Sequence, residues 1–208
     1  MAHSLRSSSR MIGTKLPAWA SSFRLQSLTF KFTPLAIRAV ISVELAVLGV
    51  GGGFFMETYA KSTFEAEGLK GEIVQQNHGK SRRGVPRGLH FQMEPFTQGK
   101  LVRCTRGEIL DVAVDLGGDS STFGRSVSVT LSGSNKQVFY IPRGFAHGFL
   151  AISDLVEVEY SVDNVYAPDY ESGIIWNDHE LAIKWPMDNP ILSEKDRTWP
   201  RLSQLKLG

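Results

Sequence analysis

The sequence predicts a mostly β fold, a two-layer sandwich or closed barrel of many short strands with short helices at its periphery. Three observations point there. From residue 70 onward, runs of alternating apolar and polar residues recur between turns rich in Gly, Asn and Ser. Stretches with a helical period are few and short. The composition, 42% hydrophobic and 21% charged in 208 residues, suits one domain with a sizeable core, or one domain plus an extension.

The head of the chain stands apart by charge. Residues 1–43 hold six basic residues, Arg6, Arg10, Lys15, Arg24, Lys31 and Arg38, and the first acidic residue is Glu44. The rest carries 17 basic against 21 acidic residues, so the net charge of +2 comes from the head. That distribution gives no basic groove for nucleic acid. Residues 1–30 are expected to be a basic, disordered N-terminal extension, with a transit peptide as the other reading of a Ser- and Arg-rich segment without acids. Residues 31–208 are expected to form the folded domain.

The nearly uncharged run AVISVELAVLGVGGGFFM at 39–56 has the length of a membrane span. Glu44 lies inside it, three glycines sit near its end, and Val40, Ile41, Val43 and Val47 are β-branched. Strands are expected there, and no membrane contact. TYAKSTFEAEGL at 58–69 reads as a short helix closed by Gly68. KLVRCTRGEILDVAVDL at 100–116 reads as a β-hairpin folded at Arg106-Gly107. SVSVTLSGSNKQVFYI at 126–141 alternates, turns at Gly133-Ser134-Asn135 and resumes. LVEVEYSV at 155–162 places Val156, Val158, Tyr160 and Val162 on one face and Glu157, Glu159 and Ser161 on the other, so Tyr160 points inward. A turn or two of helix is expected in DNPILSEKDRTWPRL at 188–202. The single cysteine, Cys104, cannot form an intramolecular disulfide and favours a reducing, cytoplasmic setting.

Two histidines lie in strand-like segments. His90, in RGLHFQ, sits between Arg87 and Lys100. It reads as a core histidine, a metal ligand, or a base that removes a proton from carbon. His147, in PRGFAH, resembles the second motif of metal-binding cupin barrels. The first cupin motif calls for two histidines one residue apart, and Gln92 stands in the second of those places. Metal sites take three or four converging ligands, so half a set predicts no metal. His147 reads instead as a structural histidine bonded to backbone. Gln75, Asn77, Arg87 and His90 fall in one polar stretch. Such amides hold a base edge and a guanidinium forks onto phosphate, although a solvated loop has the same composition.

The segments GFFMETY, GVPRGLHFQ, GKLVRCTRGEILDVAVDL, FGRSVSVTLS, YIPRGFAHGFLAIS, YAPDYESGIIWND and PILSEKDRTWP occur in this order. Together, over residues 31–203, they resemble the dTDP-4-dehydrorhamnose 3,5-epimerase family. The resemblance implies a cupin-type jelly-roll barrel with short peripheral helices at 31–208 and a homodimer that shares strands. It implies no metal and no organic cofactor. The implied reaction inverts C3 and C5 of dTDP-4-dehydro-6-deoxy-D-glucose to give dTDP-4-dehydro-L-rhamnose, in dTDP-L-rhamnose biosynthesis. The C4 ketone acidifies the hydrogens on C3 and C5, so a base of suitable pKa and a positive charge at the enolate oxygen are needed. By resemblance, His90 is the base, Asp196 orients it, Lys100 stabilises the enolate oxygen, and Tyr160 supplies the proton on the opposite face. Glu57, Gln75, Asn77 and Arg87 would hold the nucleotide, with Tyr166 beside them. Phe54 and Phe55 would pack or touch the base, and Asp111 would be a further pocket carboxylate. Lys100 and Arg87 are expected to favour a neutral His90, with Asp196 pulling the other way.

Two positions depart from the family pattern. Where relatives read Asp-x-Arg-Gly-Phe-Phe, this chain reads Val50-Gly51-Gly52-Gly53-Phe54-Phe55, so Gly52 replaces an arginine that helps hold the diphosphate. One lost charge-assisted hydrogen bond costs about 1.5–3 kcal/mol of binding. Pro86 replaces a leucine four residues before His90 and brings no amide donor. These departures leave three activities open: the double epimerase, a single-carbon epimerase, and a weakened nucleotide-sugar-binding paralogue.

Overall fold

A computed structural model describes residues 30–69 and 71–207. The chain runs β1 (Lys31–Pro34), β2 (Ile41–Glu44), β3 (Val47–Val50), β4 (Gly53–Met56), α1 (Lys61–Ala66), β5 (Gln75–Arg82), β6 (Pro86–Gln92) and β7 (Lys100–Arg106). It continues through β8 (Glu108–Asp115), β9 (Ser126–Ser132), β10 (Val138–Ile141), β11 (Phe145–Ala151), β12 (Leu155–Val162), β13 (Glu171–Gly173) and α2 (Glu194–Thr198). One sheet has the order β1-β2-β10-β7-β12-β5 and the other β13-β6-β11-β8-β9, while among the described residues β3 and β4 pair only with each other. The two larger sheets face one another as the layers of a cupin-type jelly roll.

The alternation read from β12 holds: Val156, Val158 and Val162 are buried, and Tyr160 packs against the same core. That core lies between the sheets and includes Val102, Ile109, Leu131, Phe139 and Phe149. A second cluster, with Leu89, Val112, Ala146, Ile174, Leu181 and Leu202, forms where the C-terminal segment covers the β13-containing sheet. A third gathers Val43, Leu101 and Val138 under Phe64 of α1. Phe30 packs edge-on against Phe64 at 5.1 Å, so the folded unit includes Phe30, one residue before the expected boundary. The extension expected at 1–30 otherwise lies outside the described residues.

One expectation needs correction. The strands flanking Arg106-Gly107 exist, but β7 and β8 belong to different sheets, so this is a corner and not a hairpin. Gly107 has φ +74°, and a Cβ there would lie 2.3 Å from the Leu155 carbonyl oxygen. The turn after β9 is likewise a corner, since β10 enters the other sheet. The run at 39–56 forms β2, β3 and β4, and among the described residues no helix is long and apolar enough to cross a membrane.

The departures from the family pattern also acquire structural roles. Gly51 and Gly52 make the turn between the paired Val50 and Gly53, with Gly52 at φ +84°. A residue with a Cβ is strained in that region of backbone space. Pro86 is the first residue of β6, a place where a strand tolerates a missing amide.

The β6–β11 contact positions the site. His90 and His147 are paired residues, and a bulge between His147 and Phe149 shifts the register before Arg87 pairs with Phe149. Within this bulge Gly88, at φ +124°, lies against Gly148. A Cβ on Gly88 would sit 2.5 Å from Gly148 Cα and 2.6 Å from the His147 carbonyl oxygen. Gly88→Ala should therefore cost about 3 kcal/mol or more. Urea unfolding would show it as a lower midpoint with an unchanged slope.

Candidate active site

A cavity of about 240 Å³ opens between the sheets. One sheet contributes Gln75 and Asn77 from β5, Lys100 from β7 and Tyr160 from β12. The facing sheet contributes Arg87, His90 and Gln92 from β6, His147 and Phe149 from β11, and Glu171 from β13. Tyr166 and Gln98 close the rim. On β6, Leu89 belongs to the outer cluster and Phe91 borders both that cluster and the cavity, while His90 and Gln92 line the cavity; the register shift at the bulge brings Arg87, three residues before His90, to the same space.

His90 is held from the C-terminal end of the chain. Its Nε2–H donates to Asp196 Oδ1 at 2.5 Å, across 106 residues of sequence. Asp196 is only 2% exposed. Burial pushes its carboxyl up, but the hydrogen bonds from His90 and from Ser193 outweigh that and hold it below the ordinary aspartate value. Asp196 is thus a carboxylate, which only accepts, so the proton of this bond is on Nε2. Ser193 caps α2. Its Oγ accepts from the Asp196 amide at 3.1 Å and donates to Asp196 Oδ2 at 2.6 Å. Trp199 stands edge-on to the His90 ring at 5.9 Å. Gly173, paired with His90 across β13, makes room for it, since a Cβ there would lie 2.7 Å from the indole.

The other ionisable groups divide between the walls. Burial pulls the Lys100 ammonium down to about 8, opposed in part by Asp111 and Glu171. Burial, reinforced by Glu171 and opposed by Arg87, raises the Tyr160 phenol above its usual value and keeps it protonated. Glu171 accepts from Tyr166 Oη at 2.5 Å and pairs with Lys195. Burial pushes the Glu171 carboxyl up, yet Lys195, Tyr166 and His90 together hold it below the ordinary range. The bond to Glu171 in turn lifts Tyr166 to about 12.

The cavity thus gathers seven of the expected residues: Gln75, Asn77, Arg87, His90, Lys100, Tyr160 and Tyr166. Asp196 stands directly behind His90. Asp111 is fully buried and does not line the wall; His147 Nε2 hydrogen-bonds its Oδ1 at 2.7 Å. His147 is therefore a cavity residue backed by a carboxylate, not a histidine bonded to backbone. Phe54 and Glu57 are outside the cavity. Glu57 follows β4, while Phe54 lies in β4 of the β3–β4 hairpin, is 52% exposed, and sits under Lys136 at 4.2 Å. With Phe55 it borders a separate space of about 770 Å³ against Arg103, Glu157 and Glu159.

Gln92, at the place of the missing cupin histidine, uses both ends of its amide. It donates to the carbonyls of Phe96 at 2.6 Å and Val165 at 3.1 Å and accepts from the Ala167 amide at 2.7 Å. Among the described residues no three His, Cys, Asp or Glu side chains are grouped as a metal ion would require.

Residues 34–204 match the sequence model of the family dTDP-4-dehydrorhamnose 3,5-epimerase. The chain belongs to this family. It is 52% identical over 158 residues to dTDP-4-dehydrorhamnose 3,5-epimerase of Shigella flexneri, covering 76% of this chain and 87% of that one. It is 48% identical to the enzyme of the same name from Methanothermobacter thermautotrophicus, covering 84% and 96%. The crystal structure of dTDP-6-deoxy-D-glucose-3,5-epimerase from Legionella pneumophila in complex with dTDP-4-keto-L-rhamnose superimposes with a TM-score of 0.83 at 39% identity, covering 86% and 95%.

In this member of the epimerase family, Glu171, His147, Ser193 and Trp199 were not among the sequence-predicted site residues. Ser193 carried a signal, as a cap residue three before Asp196. Glu171 carried none, because its place depends on how β13 pairs with β6. The depressed ammonium offers a direct check. NMR of lysine labelled at the side-chain nitrogen should show one signal titrating near 8, well below the ordinary lysine range of about 10.4. That signal should vanish in Lys100→Arg.

Proposed function

We propose that this chain is a cofactor-independent dTDP-4-dehydrorhamnose 3,5-epimerase that converts dTDP-4-dehydro-6-deoxy-D-glucose to dTDP-4-dehydro-L-rhamnose, in dTDP-L-rhamnose biosynthesis. One observation carries this reading. His90 and Tyr160 enter the same cavity from opposite sheets. An inversion needs a proton taken from one face of a carbon and returned to the other.

With Nε2–H committed to Asp196, Nδ1 is the nitrogen that accepts. It takes the C–H proton, the electron pair moves into the ring carbon and the C4 oxygen, and an enolate forms. The Lys100 ammonium, with little competing solvent, stabilises the negative oxygen. Tyr160, held protonated, returns a proton to the other face. A proton leaves and a proton arrives, so no electrons are carried away and the chemistry calls for no metal or organic cofactor. At the mouth, Gln75, Asn77 and Tyr166 would meet the thymidine and Arg87 the diphosphate. Asp111 would act on the sugar through His147.

We also propose a homodimer. Phe54 and Glu57 would then serve the nucleotide in a partner subunit's cavity. Supporting this, among the described residues β3 and β4 pair with no other strand, and a two-stranded ribbon on its own is marginal in water. The free thiol of Cys104, buried and pushed up to about 11 by that burial, fits a cytoplasmic protein.

The test is proton exchange in deuterated buffer, followed by NMR on the thymidine diphosphate 4-keto sugar. The parent should exchange hydrogen at both C3 and C5. His90→Ala should slow both on the order of 10³-fold. Exchange at one carbon would mark a single-site epimerase, and binding without exchange a non-catalytic relative. A variant as fast as the parent would remove His90 from the mechanism.

A further inference from the structure

Double inversion by a single base raises a proton problem. After the first carbon is inverted, His90 Nδ1 holds the proton taken from the sugar and Tyr160 has given one up. Before the second carbon can react, the imidazolium must lose that proton while the sugar still occupies the cavity. Its Nε2–H is bound to the buried Asp196, so that side offers no exit.

The opposite side of the ring is built differently. Glu171 Oε1 lies 3.9 Å from His90 Nδ1, a gap closed by a small side-chain movement or one bridging water. Both groups that pin Glu171, the Tyr166 hydroxyl and the Lys195 ammonium, land on Oε2. Oε1 is therefore the oxygen turned to the imidazole. Tyr166 is 51% exposed, so the chain of contacts runs from the base to the cavity mouth.

We propose that Glu171 is the proton outlet of His90, unloading the base between the two inversions of one bound sugar. This rests on His90 being the base and goes beyond it. In the step, the Nδ1–H proton passes to Oε1, leaving its electron pair on nitrogen, and the carboxylic acid then releases it to water. The carboxylate is restored, and a proton returned from water to the Tyr160 phenolate balances the one released, so base and acid are both ready for the second carbon. Glu171 acts through the imidazole and is a positioning and relay residue. The groups facing it are His90 on β6, Lys100 on β7, Tyr160 on β12, Tyr166 in the loop beyond, and Lys195 on α2. The two ammonium groups favour the charged carboxylate, so a proton that arrives there is passed on quickly.

The test is a single turnover in deuterated buffer with enzyme in excess over the sugar, reading C3 and C5 separately. In the parent both carbons should exchange at comparable rates. In Glu171→Ala the first exchange should proceed and the second lag on the order of a hundredfold. Singly inverted sugar should accumulate, and added formate should restore the second exchange. Glu171→Gln keeps the shape and the hydrogen-bond acceptor but cannot carry a proton. It should show the same lag without rescue by formate. Equal slowing of both carbons, or no slowing, in the Gln variant would overturn the relay. His90→Ala in parallel separates the two ideas: exchange persisting there sinks the base itself, whereas its loss there with equal slowing in the Glu171 variants sinks only the outlet.

Discussion

The site depends on one hydrogen bond, from His90 Nε2 to Asp196 Oδ1. It joins a central strand to a five-residue helix near the C-terminus, and three features exist to make it possible. Ser193 holds both the amide and the far oxygen of Asp196. Gly173 leaves space for Trp199 to stand beside the imidazole. Gly88, pressed on Gly148, sets the register in which His90 lies beside His147. The bond fixes the tautomer, and in the proposed reaction the tautomer would decide which nitrogen faces the sugar.

Charge is distributed to suit this arrangement. Two carboxylates stand on the His90 side of the cavity, Asp196 from α2 behind the ring and Glu171 from β13 beside it. The facing sheet brings the Lys100 ammonium. In the proposed reaction positive charge on the base and negative charge on the enolate would develop together, and each would meet its complement on its own side of the cavity. That separation follows from the jelly roll, because the two walls are different sheets.

Much of the fold was legible in the sequence. Period-two alternation placed Tyr160 inward on β12, and the β-branched residues at 40–47 marked strands over a membrane segment. The corner at Gly107 was misread because a glycine turn looks the same whether the next strand stays in the sheet or crosses to the other. In the site, the residues alone singled out His90 between Arg87 and Lys100, but the roles of His90, Lys100 and Asp196 all came through family resemblance, and for Asp196 no local motif could serve, since 106 residues separate it from its partner. The pairing of His147 with Asp111 depends on register between β11 and β8, which alternation alone does not specify. Phe54 and Glu57 were expected in the cavity by resemblance, and the chain's own hairpin carries them elsewhere.

Gln92 has a consequence for how this barrel could change its chemistry. Its amide ties the loop after β6 to the loop after β12 by donating twice and accepting once. An imidazole at that place has two nitrogens and cannot reproduce this three-way bridge. A histidine there would release the same loops that carry Tyr166 and Gln98 at the rim. Building a metal site at this position would therefore cost the ordered mouth of the cavity as well as one side chain.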